Sequence, residues 1–134
     1  MTLATAGLLI IKNRKLLLAY SKNKRCFYLP GGKIDMHENA AQALCREIAE
    51  ELNIHVEEHE LQYYTHITAQ AYGEEKGTIM EQECFILTRP VSPSASAEVS
   101  ELKYCSLNEY LSQTDQAPGA VMILTHLSAN DLID

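Results

Sequence analysis

The stretch GKIDMHENAAQALCREIAEELNI, from Gly32 to Ile54, decides the fold. Between Asn39 and Leu52 its apolar residues recur at spacings of three and four, which predicts an amphipathic helix. The residues of this stripe are Ala41, Leu44, Cys45, Ile48 and Leu52. The stretch therefore predicts a helix with one buried face, entered from a loop at Pro30-Gly31-Gly32.

Three glutamates, Glu47, Glu50 and Glu51, lie beside the apolar stripe. At about 100° per residue they fall within an arc of about 100° on the helix. Such a spacing usually marks a solvated acidic face. Crowded carboxylates also repel one another unless a cation compensates, and hard divalent cations such as Mg²⁺ prefer oxygen ligands. The helix alone leaves a solvated face and a metal site as alternatives.

The residues around the glutamates favour the metal site. From Gly32 onward the stretch fits G-x5-E-x7-R-E-U-x-E-E-x-G-U, where U is aliphatic, except that Asn53 replaces the last glycine. A chance match has a probability of roughly one in a million at average residue usage. This pattern is the Nudix box, so the chain resembles the Nudix hydrolase family. The preceding Leu29–Met36 is similar to the entry loop of the branch that hydrolyses nucleoside triphosphates.

The resemblance implies an architecture for the whole chain. It implies an α/β fold, an α/β/α sandwich with a mixed β-sheet, in which the box forms a loop, a helix and a second loop. With 134 residues and 46% hydrophobic composition, the chain is long enough for one core and too short for two ordinary domains. We therefore expect a single domain over residues 1–134.

The resemblance also implies a divalent metal site. Glu47, Glu50 and Glu51 would hold Mg²⁺, with Mn²⁺ as a substitute, and the backbone carbonyl of Gly32 would be a further ligand. Mg²⁺ neutralises a phosphate chain and lowers the pKa of a coordinated water. Glu47 or a neighbouring glutamate would take the proton from the attacking water. We place Glu47 first as the base.

Two other box residues, Glu38 and Arg46, would support the site by pairing with each other or with the metal ligands. Arg46 also lies four residues before Glu50, so an ordinary ion pair on the helix surface is the alternative. Together with Glu47, Glu50 and Glu51 they form the predicted catalytic set.

The function implied is hydrolysis of a nucleoside diphosphate-linked molecule, first of all a nucleoside or deoxynucleoside triphosphate, to a monophosphate and pyrophosphate. The alternatives are a pyrophosphatase for ADP-ribose or another nucleotide sugar, a dinucleoside polyphosphate hydrolase, and a Nudix-fold sensor without turnover. The complete set of Glu47, Glu50 and Glu51 argues against the sensor. Tyr72 lies near the position where dinucleoside polyphosphate members carry a tyrosine.

Composition restricts the partners. The net charge of −7 and a pI near 5.2 repel polyanions, so we expect a small nucleotide rather than a nucleic acid polymer. No apolar run reaches the roughly 18 residues of a membrane span, and no basic start suggests export. The four cysteines show no Cys-x-x-Cys pair, so reduced thiols in the cytoplasm are expected. The sequence leaves open a monomer or a homodimer.

Outside the box, alternating apolar patterns and turn residues predict further elements. These are a hairpin of Leu3–Ile11 and Leu16–Tyr20, a second hairpin of Leu61–Tyr72 and Thr78–Leu87, a strand at Leu102–Ser106, a helical turn after Asn108, a break at Pro118-Gly119, and a helix at Ala120–Leu127 whose inner face is Val121, Leu124 and Leu127. Lys22, Lys24 and Arg25 could contact a terminal phosphate, and Phe27 and Tyr28 could flank a base. Glu98 and Glu101 lie in or beside a predicted mobile loop, Arg89–Ser100, and could add a metal ligand or a base. We assign the five histidines no role.

Overall fold

Two four-stranded sheets form the framework of the molecule. The computed structural model describes residues 1–134. Its strands are β1 Thr2–Leu9, β2 Ile11–Lys12, β3 Lys15–Ser21, β4 Cys26–Tyr28, β5 Gly31–Lys33, β6 Gln62–Gln70, β7 Ile79–Ile86 and β8 Val99–Cys105. Its helices are α1 Ala40–Leu52, α2 Leu107–Leu111 and α3 Pro118–Ala129, with a 3-10 turn at Glu58–Glu60. None of these helices is long and apolar enough to cross a membrane.

The first sheet is mixed and lies between two helices. Its strand order is β5-β1-β7-β6, with β1 parallel to β7 and the other pairs antiparallel. On one face Leu44 and Ile48 of α1 pack with Leu8 of β1. On the other face Leu124 of α3 packs with Ile67 of β6. The predicted α/β/α arrangement with a mixed sheet is confirmed.

The first predicted hairpin is wrong in its first strand. The apolar run from Leu3 to Ile11 divides at Ile10, so that β1 enters the first sheet and β2 enters the second. In the second sheet β3 pairs with β2 and with β4. The fourth strand, β8, also pairs with β3 and is antiparallel to it. Because β1 is buried on both faces at its end, no polar residue marks the break. The second predicted hairpin is confirmed as β6 and β7.

The C-terminal elements also differ from the prediction in their bounds. Pro118 and Gly119 begin α3 rather than interrupt the chain, since Pro118 occupies the first turn, where its missing N–H costs nothing. Ile123 is buried with Leu124 and Leu127, whereas Val121 is half-buried. The predicted strand at 102–106 begins earlier, at Val99, and so shortens the irregular segment before it.

The ends of α1 follow the sequence closely. Asn39 caps the N-terminus, where its side chain accepts from the Gln42 N–H and the Gln42 side chain accepts from the Asn39 N–H. Asn53 ends the helix in the left-handed conformation, with φ 56° and ψ 34°. Asparagine thus takes the place of the glycine in the box, as the sequence predicts.

Asn53→Gly tests this C-terminal cap. The sequence alone predicts a neutral or slightly stabilising change, because glycine removes the left-handed strain. The structure corrects this expectation, since the Asn53 amide donates to the Ser94 carbonyl at 3.3 Å and to Ser94 Oγ at 3.0 Å. We expect Asn53→Gly to lose about 0.5 kcal/mol in urea unfolding, because the lost bonds outweigh the relief of strain. A more stable Asn53→Gly would show that these bonds contribute nothing.

His66 gives the stability of the sheet a predictable pH dependence. Its Nδ1 lies 2.7 Å from Glu83 and its Nε2 lies 2.6 Å from Glu81, so both nitrogens can donate only as imidazolium. The bonds to Glu81 and then Glu83 raise the pKa of His66. The stabilisation from the charged imidazole is complete below the pKa of His66 in the unfolded chain. It is lost as pH rises through the higher pKa of His66 in the folded protein.

His66→Gln should therefore destabilise the protein by about 0.2–1 kcal/mol at pH 5.5 and by much less at pH 9. The measurement is urea unfolding at both pH values. His55→Gln is the control, because His55 contacts one carboxylate, Glu57, at 3.2 Å instead of two. An equal loss at both pH values would contradict the role of the charged imidazole.

Candidate active site

An open cavity of about 310 Å³ lies against the inner face of the first sheet. The box helix, the β4–β5 segment and the start of α3 form its other walls. Its lining includes the carboxylates Glu47, Glu51 and Glu98. Its lining also includes the apolar or small residues Leu3, Leu29, Ala71, Met80, Ala117, Gly119 and Ala120. The cavity thus combines carboxylates with apolar residues, four of which are alanine or glycine.

Glu51 is the most buried of the box carboxylates, with 7% of its surface exposed. It accepts a hydrogen bond from the Tyr28 hydroxyl at 3.0 Å and one from the Gly31 N–H at 3.3 Å. Burial raises its pKa to about 7, although these two bonds act in the opposite direction. A buried carboxylate with neutral donors on one side is a group that a cation in the cavity would stabilise.

Glu47 lies against the backbone of the entry loop. A side chain at Gly32 would collide with the Glu47 carboxylate, so the glycine permits this close approach. Arg46 donates to Glu47 at 2.9 Å. Burial raises the pKa of Glu47, and the Arg46 pair partly offsets the increase.

Glu50 lies at the edge of this group. Its side chain is 57% exposed and sits 3.9 Å from Arg46. Its charge nevertheless raises the pKa of both Glu47 and Glu51, so it is electrostatically close to them. No three His, Cys, Asp or Glu side chains surround one point. The structure brings Glu47 and Glu51 together at the cavity, whereas Glu50 does not line it.

The predicted pairing of Glu38 with Arg46 is present. Arg46 donates to the two Glu38 oxygens at 2.8 and 2.9 Å and to the Lys33 carbonyl at 3.1 Å. The Arg46 bonds, followed by the Asp35 N–H, lower the pKa of Glu38 to about 2. Arg46 therefore holds the entry loop against α1. Its contact with Glu50 is the longest of its ion pairs, so the helix-surface pair is secondary.

The structure separates the two acidic residues predicted near the mobile loop. Glu98 lines the cavity and accepts from the Ser21 hydroxyl at 2.9 Å and the Asn23 N–H at 2.8 Å. Glu101 lies on β8, is exposed and does not line the cavity. Glu98 thus shares the cavity with the box glutamates, whereas Glu101 does not.

The candidate phosphate and base contacts are also divided. Lys24, Tyr28 and Tyr72 line the cavity, whereas Lys22, Arg25 and Phe27 do not. Lys24 Nζ lies 3.6 Å from Glu74, and Lys33 Nζ lies 3.9 Å from the same carboxylate. These two lysines place positive charge at the cavity, where a phosphate chain would need it.

Several residues of the cavity were not predicted from the sequence. Gln82 and Met80 occupy inward positions of β7, and Gly119 leaves room for the Met80 side chain. Gln82 was detectable as a polar residue at an inward position of an alternating strand. Gly119 gave a misleading signal, because a glycine after proline favours a turn in sequence interpretation.

The family of the chain follows from comparison with known proteins. The NUDIX domain model matches residues 1–126, so the chain belongs to the NUDIX family. The resemblance drawn from the box is confirmed, as is the class of enzyme, a hydrolase of this family. No curated protein matches the chain.

Solved structures share its fold. A MutT NUDIX hydrolase from Burkholderia pseudomallei has a TM-score of 0.74 at 22% identity, with 94% of this chain and 97% of that chain covered. A C. elegans Ap4A hydrolase binary complex has a TM-score of 0.69 at 24% identity, with 96% of this chain and 96% of that chain covered. A third structure is a bifunctional NMN adenylyltransferase/ADP ribose pyrophosphatase from Francisella tularensis, complexed with AMP and Mn ion. It has a TM-score of 0.71 at 24% identity, with 97% of this chain and 42% of that chain covered. Their names span several substrates.

Proposed function

We propose that the protein is a Mg²⁺-dependent hydrolase that converts a nucleoside or deoxynucleoside triphosphate to a monophosphate and pyrophosphate. The observation that carries this proposal is the shared cavity, which is lined both by Glu47 and Glu51 and by apolar residues. The carboxylates suit a metal-bound phosphate chain, and the apolar residues suit the faces of a base.

The residues fit a divalent cation by their chemistry. Glu47 and Glu51 present carboxylate oxygens to one cavity, and Glu50 lies within electrostatic reach of both. Burial of the Glu51 charge disfavours ionisation, which a bound cation would reverse. We propose Glu47, Glu50, Glu51 and the Gly32 carbonyl as the ligands, with Mg²⁺ preferred and Mn²⁺ as substitute. The Mn ion in the Francisella tularensis structure accords with this choice.

The chain's own groups have separable tasks. When bound, Mg²⁺ supplies charge neutralisation and lowers the pKa of a water molecule. Glu47 takes the proton of the attacking water, and Arg46 keeps Glu47 in position through its 2.9 Å bond. Glu38 holds Arg46 in turn. Lys24 and Lys33 bind the outer phosphates at the cavity mouth.

The size of the cavity supports a mononucleotide as substrate. About 310 Å³ is near the lower limit of small-molecule pockets, enough for one nucleoside rather than two. The net charge of −7 supports small substrates over nucleic acid polymers. We further propose that residues 1–134 form one catalytic domain. Four free cysteines, three of them buried, support a reducing compartment such as the cytoplasm.

A nucleotide panel tests the substrate class. Nucleoside and deoxynucleoside triphosphates, ADP-ribose and a dinucleoside tetraphosphate are compared at equal Mg²⁺, with pyrophosphate and orthophosphate measured separately. We expect at least one triphosphate to have a higher kcat/KM than ADP-ribose and to release pyrophosphate. A kcat/KM for ADP-ribose ten times that of every triphosphate would overturn the branch assignment and leave the family intact.

Tyr72 favours one second candidate, a dinucleoside polyphosphate hydrolase. Its half-buried ring lines the cavity, where it would stack on a second base. Tyr72→Leu should then lower kcat/KM for the dinucleoside tetraphosphate more than for any triphosphate. An equal effect on both substrates would remove this candidate.

A further inference from the structure

Gln82 is a buried polar residue in the apolar part of the cavity. Only 5% of its surface is exposed, and it lies on β7 between Met80 and Cys84 on the same face. In the β1–β7 and β6–β7 registers its neighbours are Thr5 and Ile67. A glutamine in such a row is costly unless its amide is hydrogen-bonded.

The Gln82 amide has almost no partner within the chain. Its Oε1 receives one long contact from Cys84 Sγ at 4.0 Å, and its Nε2 donates no hydrogen bond. No fully buried polar atom of the protein lacks a partner, so the exposed part of Gln82 includes this nitrogen. Because Gln82 lines the cavity, the unpartnered amide faces the space that a ligand would occupy.

Gly7 leaves room for the Gln82 amide. A Cβ at Gly7 would lie 2.9 Å from Gln82 Cδ and 3.0 Å from Gln82 Nε2, and it would collide with Leu29. The carboxamide therefore occupies space that a side chain at position 7 would fill. A glycine inside a strand often marks such a close approach.

The distance from the carboxylates suits a nucleotide. Gln82 on β7 and Gly32 on β5 flank β1, and neighbouring strands are about 4.8 Å apart, so the two strands are about 10 Å apart. A ribose and one phosphate span a gap of this order. With the phosphates at Glu47 and Glu51, the base would reach Gln82.

We propose that Gln82 determines base specificity by hydrogen bonding to the edge of the substrate's nucleobase. This inference rests on the proposed function, because it takes the cavity to bind a nucleotide. A carboxamide offers one donor and one acceptor side by side, so it matches a base edge that carries a neighbouring acceptor and donor. An edge with a single acceptor leaves half of the amide unpaired, and such sites discriminate strongly.

The test compares kcat/KM for the natural triphosphates and for the triphosphate of unsubstituted purine, which lacks an exocyclic group. In the wild type we expect the best natural base to exceed unsubstituted purine at least about 10-fold. Gln82→Met removes the amide and keeps the length. It should lower kcat/KM for the best base about 5- to 150-fold, the range of a bidentate pair, and hardly change that of unsubstituted purine.

Two further variants separate recognition from folding. Gln62→Met replaces an exposed glutamine of β6 outside the cavity and should leave the base ratio unchanged. Gln82→Glu keeps the size and replaces the donor by an acceptor, so it should shift preference toward guanine, whose edge carries two neighbouring donors. A ratio unaffected by both Gln82 variants, or an equal loss for every base, would overturn the proposal.

Binding of nucleoside monophosphates by calorimetry distinguishes this proposal from the proposed function. If no triphosphate is hydrolysed, the function fails. If the monophosphates still bind with a base preference that Gln82→Met abolishes, the role of Gln82 stands. If hydrolysis proceeds and Gln82→Met leaves base preference intact, the role of Gln82 fails alone.

Discussion

Glu51→Gln is expected to lower kcat at least about 100-fold while the protein remains folded. The substitution removes a negative charge from the proposed site of a hard metal ion, where a neutral amide is a poor ligand. The Gly31 N–H and the Tyr28 hydroxyl donate to different Glu51 oxygens, so a glutamine keeps the Gly31 bond through its oxygen and can donate its NH2 to the Tyr28 hydroxyl oxygen. The sequence predicts the same loss for Glu50→Gln.

Stability should not fall in the Glu51→Gln variant. The raised pKa of Glu51, about 7, means that its ionised form is disfavoured in the folded state. A raised carboxyl pKa gives a relative stabilisation that is present at low pH and is lost as pH rises toward 7. At pH 8 an uncharged glutamine therefore removes an unfavourable burial of charge.

The measurement is turnover at saturating and at limiting Mg²⁺, with thermal unfolding as the folding control. Glu58→Gln is the matched variant, because Glu58 is an exposed glutamate just beyond α1 and outside the cavity. Its kcat should equal that of the wild type. Near-normal turnover of folded Glu51→Gln at limiting Mg²⁺ would remove Glu51 from the proposed metal site.

Gly31→Ala is expected to destabilise the protein by roughly 3–5 kcal/mol, from backbone strain and overpacking together. Gly31 has a φ of 140°, in a region that side chains rarely adopt. Its added Cβ would also collide with the Ala6 carbonyl on the neighbouring strand, and backbone cannot move aside as a flexible side chain does. Because Gly31 also donates to Glu51, activity should fall with stability.

Gly77→Ala separates the effect of backbone strain from that of overpacking. Gly77 has a φ of 90°, but nothing lies within 4 Å of a Cβ added there. It should lose about 1–2 kcal/mol, the cost of the backbone conformation without the collision. The measurement is urea unfolding of both variants. Equal losses would show that the contact with Ala6 contributes nothing.

The box helix was predictable because its signals are local. The apolar spacing, the Asn39 cap and the left-handed Asn53 all act within a few residues of one another. The pairing of Glu38 with Arg46 followed from the box in the same way. Local chemistry of this kind can be inferred from sequence alone.

The division of the chain between two sheets was not predictable from the local pattern. The run from Leu3 to Ile11 is apolar throughout, and the break at Ile10 reflects which sheet each half joins. Gln82 was not predicted for the same reason, because its unpartnered amide is apparent only when Gly7 and the cavity are considered together. The local pattern also left Glu98 and Glu101 equivalent until the structure placed Glu98 at the cavity. Long-range packing decides such features.

Phosphorus NMR of one reaction tests most directly whether the protein converts a triphosphate to a monophosphate and pyrophosphate with a divalent cation. A triphosphate from the panel is incubated with the protein and Mg²⁺ in ¹⁸O-labelled water, with a chelator added to a parallel sample. We expect equal amounts of monophosphate and pyrophosphate, one of them carrying a single solvent oxygen, and no reaction with the chelator. Orthophosphate and a nucleoside diphosphate as products, or turnover that persists with the chelator, would contradict this expectation.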